Sequence, residues 1–210
     1  ILTNMERKEK FGDEHIPRQE IGKQMDAEEE RSFNDEADAI EFFELVKHRL
    51  LDVNQWSSFA GSAMSSFQLT NAFGNPAARL AQEGDYIKID IPGPGSSVGK
   101  GYDWVWIETI IHNQEDEMEV LTLRARPTSN PLSKSNDTAH FLTEQATSTF
   151  QVKRIGKHIY AEKHGRNEQA NTYTTNTLDN IRNMAVGWMA MLGLSYPQWK
   201  SLIKGLLSEP

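Results

Sequence analysis

The chain has 210 residues, a formal net charge of −8 and no cysteine. That length allows one domain, or one domain with a tail. The acidic balance argues against a nucleic-acid binder, which needs a basic footprint to displace counterions, and the missing thiols exclude disulfides, thiolate catalysis, zinc ribbons and iron–sulfur clusters.

Residues 1–34 are charge-dense, with Ile1, Leu2, Phe11, Ile16, Ile21 and Phe33 as their large aliphatic or aromatic members. Alone, such a segment buries too little apolar surface to offset its chain entropy. It is expected to be a charged arm, either flexible or laid along the domain or a partner, ahead of a single domain over 35–210. The opening ILTNMERKEK lacks an apolar signal core, which tilts the expected location to the cytoplasm. No run approaches the roughly 18 apolar residues of a spanning helix, so no membrane span is expected.

From Asp35 the pattern is helical. Ala39, Phe43, Val46, Leu50 and Val53 recur at alternating spacings of four and three, widened by Phe42 and Leu45. Asn34 or Asp35 suits the N-cap, and the helix should end near Asn54.

The middle of the chain reads as strands: Ser66–Thr70, Tyr86–Ile91, Tyr102–Ile111, Met118–Arg126, Thr147–Ile155 and His158–Arg166. Short turn-forming connections, Gly156-Lys157 above all, favour antiparallel hairpins. The third strand has Tyr102, Trp104, Trp106 and Ile110 on one side and Val105, Ile107 and Ile111 on the other. Both of its sides must be covered, which makes it central.

The chain closes in two helices. Leu178, Ile181, Ala185, Trp188 and Leu192 form a stripe with Met184, Met189 and Met191 around it, expected as core. Gly193 suits a C-cap, and Ser195 and Pro197 open a second helix carrying Trp199, Leu202, Ile203 and Leu206. The expected fold class is α+β: a curved antiparallel sheet of about six strands with an N-terminal helix and a C-terminal helical hairpin packed on it. This order of elements resembles helix-grip ligand-binding folds, in which a bent sheet wraps a C-terminal helix; the resemblance is architectural and rests on no motif.

Several chemistries fail on spacing. The loop IPGPGSSVGKG contains Gly99-Lys100, but Pro94 occupies the glycine position that a phosphate-binding loop requires, Gly101 replaces the hydroxyl, and a strand follows. The six histidines include no HExxH, and His158 and His164 stand roughly 20 Å apart along a strand, too far to share an ion. Ser148 sits in no nucleophile elbow. No metal and no cofactor is expected.

What remains is a polar face. In KHIYAEKHGRNE the alternation puts His158, Tyr160, Glu162, His164, Arg166 and Glu168 on one side, with Ile159, Ala161 and Gly165 on the other. Arg124 and Arg126 alternate on a second strand, and Glu108 shares a face with Trp104 and Trp106. If these faces coincide, a small amphipathic or anionic ligand has an apolar wall in Trp104 and Trp106. Polar anchors are then Glu108, Arg124, Arg126, His164 and Arg166, in a pocket between sheet and helix. A hydrolase or isomerase using His164 with Glu162 or Glu168 is the second reading. An interaction module docking through residues 195–207 or the N-terminal arm is the third.

Overall fold

Alternating side chains produce seven antiparallel strands: β1 (Lys23–Ser32), β2 (Ser66–Thr70), β3 (Tyr86–Asp90), β4 (Asp103–Glu115), β5 (Met118–Pro127), β6 (Thr147–Ile155) and β7 (His158–Glu168). They form one sheet in the order β1-β7-β6-β5-β4-β3-β2. The structure, a computed structural model, describes residues 10–61, 65–91, 95–174, 177–191 and 196–209, with side chains for all but 187–191 and 196. Helices α1 (Glu36–Leu51), α2 (Trp56–Ala60), α3 (Thr177–Met191) and α4 (Tyr196–Leu206) complete an α+β fold with helices packed on the sheet.

The six expected strands are present, and β4 is central. The seventh, β1, comes from the segment expected as an arm, which is laid along the domain as its edge strand. Its apolar content is indeed low, and charge pairing supplies what burial does not. Asp26 lies opposite His164, and Ser32 opposite His158; Ala27 is buried between them on the other side. An edge strand needs one partner, and Asp26 and Glu30 of β1 meet His164, Arg166 and His158 of β7.

α1 forms as its stripe requires. Asp35 caps it by accepting the Asp38 N–H at 2.9 Å. Ala39, Phe43, Val46 and Leu50 are buried on one side of the sheet with Leu69, Ile107, Leu123 and Val152. Burying each large side chain of this kind contributes about 1.5–3 kcal/mol. α4 adds Leu202, Ile203 and Leu206 to the same core. The apolar residues of α4 thus face inward, and over 196–207 the expected docking patch is absent from the described residues.

α3 reverses its expected orientation. Leu178, Ile181 and Met184 are 76, 58 and 48 % exposed, whereas Asp179 and Asn183 are buried. The cause is polar: Arg182 clamps the buried Asp103 carboxylate with bonds of 2.6 and 3.0 Å. Asp179 accepts the Ser97 and Val98 N–H groups, each at 2.8 Å. Leaving those groups unpaired in the interior would cost more than exposing three apolar side chains. The expected roles of Trp188, Met189, Met191, Leu192, Gly193 and Ser195 fall outside the described residues or side chains, as do Ile1, Leu2 and Pro94.

Candidate functional site

The polar faces do coincide. Register places Arg124, Thr149, His164 and Asp26 directly opposite one another across β5, β6, β7 and β1, and Trp106 opposite Arg126. Directly paired residues share a face. That face is turned away from α1 and α4, however, because Val105 and Ile107 fill the helix side of β4. The expected residues therefore do not line a space between sheet and helix.

Two ion-pair clusters occupy this polar face. A bulge between Ile107 and Thr109 sets Glu108 off the ladder, where it receives Arg124 Nε at 2.8 Å and Arg126 Nη2 at 3.1 Å. Trp106, 36 % exposed, lies beside them. Trp104, at 2 %, is closed over by the loop whose Gly99 carbonyl accepts its indole N–H. In the second cluster His164 meets Asp26 through Nδ1 at 2.7 Å and Glu162 through Nε2 at 2.8 Å. Arg166 donates to the same Asp26 oxygen at 2.6 Å. Burial pulls the Asp26 and Glu162 carboxyls upward, but donation from Arg166 and His164 to Asp26, and from His164 and Lys153 to Glu162, holds both below the usual range.

Residues 10–19 lie across this face. The Gly12 carbonyl accepts Gln151 Nε2 at 2.7 Å, Asp13 meets Lys153 at 3.1 Å, and the His15 carbonyl accepts Arg124 Nη1 at 3.1 Å. Among the described residues, the arginines and His164 are thus spent on carboxylates and backbone. With both ring nitrogens of His164 engaged by carboxylates, neither faces a substrate.

Glu168 departs from the expected face. Asn167 adopts φ 57°, the left-handed region, and a register shift between Lys23 and Met25 accommodates it on β1. The strict two-residue alternation breaks there, so Glu168 swings to the helix side and pairs with Lys163.

Lys163 is a candidate absent from the sequence expectations. It occupies the helix side of β7 between Ala161 and Gly165, is 1 % exposed, and sets its Nζ 3.2 Å from Glu168 Oε1. A cation on an otherwise apolar strand side was the available signal. Gly165 makes room for the pair: a Cβ there would fall 2.1 Å from Glu168 Oε1 and 2.6 Å from Lys163 Nζ. Phe150 lies directly across the ladder from Lys163. The Trp199 ring of α4 stands 5.5 Å from the ammonium. Trp56 and Phe67 extend this wall, with Trp56 4.9 Å from Phe150 and Phe67 6.1 Å from Trp199, centroid to centroid. Burial lowers the Lys163 pKa from the ordinary lysine range, and the opposing Glu168 charge does not restore it.

No family model matches the chain, and no curated protein matches it. Solved structures similar to it include a protein from Arthrobacter aurescens (11 % identity, TM-score 0.40, covering 88 % of this chain and 87 % of that one). The major latex-like protein 151 of Panax ginseng gives 12 % identity and TM-score 0.34, covering 80 and 97 %. Truncated norcoclaurine synthase from Thalictrum flavum gives 8 % identity and TM-score 0.38, covering 92 and 100 %. Likeness this distant assigns no chemistry to this chain.

Proposed function

We propose that this chain binds a small amphipathic ligand on the helix-covered side of its sheet, between β7 and α4. Lys163 and Glu168 meet the polar end of the ligand, and Trp56, Phe67, Phe150 and Trp199 meet its apolar body. The observation that carries this reading is the buried Lys163–Glu168 pair set against aromatic rings. Replacing a buried ion pair by apolar residues of similar volume is often neutral or stabilising, so stability gives no reason for the pair. Perturbed ionisable groups cluster at functional sites. Apolar walls with a few convergent polar groups suit a small ligand. The ion pairs of the polar face, including Glu108, Arg124, Arg126, His164 and Arg166, serve on this reading to hold β1 and residues 10–19 in place.

Decanoic acid and decanol, titrated separately into the protein with indole fluorescence and calorimetry as readouts, test the proposal. Saturable one-site binding of the acid is expected, weakened roughly tenfold or more, about 1.4 kcal/mol, in Lys163→Met and in Trp199→Ala. Equal affinities in wild type and both variants would remove the site from consideration.

A further inference from the structure

We infer that α3 is a self-association face, on which a second copy of this chain docks its own α3 antiparallel. The inference is independent of the ligand reading above.

The orientation of α3 is fixed from its polar side. Arg182 on Asp103, Asp179 on the Ser97 and Val98 N–H groups, and Asn183 Nδ2 on the His140 carbonyl at 3.3 Å hold that side against the body. Rotating the helix to bury its apolar side would break these contacts in the interior. Leu178, Ile181 and Met184 are therefore held outward, at 76, 58 and 48 % exposure, and Tyr173, at 87 %, extends the patch. An apolar patch kept in water by buried polar contacts marks an interaction surface.

Charge selects the partner. Over residues 177–186 the exposed positions are Thr177, Leu178, Ile181, Met184 and Ala185, none of them ionisable. A charged partner finds no complement there. Helices that lie on a membrane surface carry Lys and Arg on their polar side; the one cation of α3, Arg182, is bound to Asp103, and the chain carries −8 overall. A second copy presents the same uncharged stripe, and that stripe is self-complementary. Leu178 and Met184 stand on either side of Ile181, so a two-fold axis at Ile181 sets Ile181 against the partner's Ile181 and Leu178 against the partner's Met184. Antiparallel helices also oppose their dipoles. Leu178 to Met184 spans about 9 Å along the helix, which places the interface in the small, transient class, below about 1,200 Å².

Sedimentation velocity of the full chain at rising concentration, in low and high salt, tests the inference. A reversible dimer is expected, no weaker in high salt because screening relieves the repulsion between two molecules of charge −8. Ile181→Asp, checked for folding by circular dichroism, should weaken it roughly tenfold or more. The chain has no cysteine, so single cysteines report the geometry under mild oxidation. Ile181→Cys should cross-link to itself, whereas Ile40→Cys, 44 % exposed on α1, should not. Leu178→Cys mixed with Met184→Cys should cross-link faster than either alone. A monomer at every concentration overturns the inference, and so does a dimer that salt dissolves or that Ile181→Asp leaves intact. Cross-linking fastest in Leu178→Cys alone would pair the helices in parallel and overturns the docking drawn here. If a monomer instead binds phosphatidylcholine vesicles through Ile181, the stripe faces lipid and the dimer falls.

Discussion

Lys163 and Glu168, five residues apart on β7, face each other at 3.2 Å on the same side of the sheet. Unbroken alternation would put an odd and an even position on opposite sides. The left-handed Asn167 inserts the half-turn that brings them together. Asn167 is itself held, its N–H donating to Gln19 Oε1 at 2.9 Å and its Oδ1 accepting the Glu20 N–H at 2.8 Å. The geometry of the buried pair therefore depends on residues that precede β1.

Gly165→Ala should break this pair sterically while leaving both ionisable groups in the chain. The new methyl would sit 2.1 Å from Glu168 Oε1, so one charge must move or lose its partner inside the core. A loss of about 3 kcal/mol is expected in urea unfolding. A loss under about 0.5 kcal/mol, the scale of an ordinary surface change, would mean the carboxylate has another resting place.

The pair itself should be dispensable for folding when it is removed whole. Lys163→Met alone strands Glu168 and should cost about 3–5 kcal/mol; adding Glu168→Leu should recover the loss and reach wild-type stability or exceed it. Unfolding free energies of the two single variants and the double variant form the cycle. Additive losses would show that the two groups do not interact as drawn.

Acid sensitivity has a separate origin. Burial pushes the His140 imidazole down from 6.5 to about 4, with Asp103 opposing and Arg182 reinforcing. Below pH 6.5 the unfolded chain binds a proton that the folded one rejects until pH about 4, so stability declines as pH falls through that window. The full difference is about 3 kcal/mol. The depressed carboxyls of Asp26 and Glu162 contribute stability above their ordinary values of 3.8 and 4.5, lost as pH falls below those values. Between pH 6.5 and 4.5, His140→Gln should therefore flatten the decline in unfolding midpoint. An unchanged slope would remove His140 as its cause.

α3 is anchored through one buried charge pair. Arg182→Met should strand Asp103 and loosen the helix, with hydrogen exchange over 177–186 accelerating by two orders of magnitude or more for about 3 kcal/mol lost locally. Unaltered protection in that helix would show that its remaining polar contacts suffice.

Much of the fold was legible because its signals are periodic. Ser66–Thr70 and Thr147–Ile155 are strands with the expected bounds, and the α1 stripe is buried as spaced. The sharing of one face by Arg124 and His164 was also readable from alternation. Which face the helices cover was not, since Trp104 and Val105 are both apolar neighbours and hydrophobicity cannot choose between them. β1 was missed because its partner contacts are ionic and distant in sequence. The α3 stripe misled because the deciding interaction, Arg182 with Asp103, joins positions 79 residues apart. Glu168 was misplaced because a non-glycine residue in the left-handed region leaves little trace in a sequence.

The meeting of β1 with α4 ties an early strand to a late helix. Arg31 donates to the Leu207 carbonyl at 3.0 Å, and Lys200 reaches Glu29 at 3.4 Å, so an early strand and the last helix close over β7 together. Loss of the α4 segment would therefore strip cover from the edge strand and from the Trp199 side of Lys163 together.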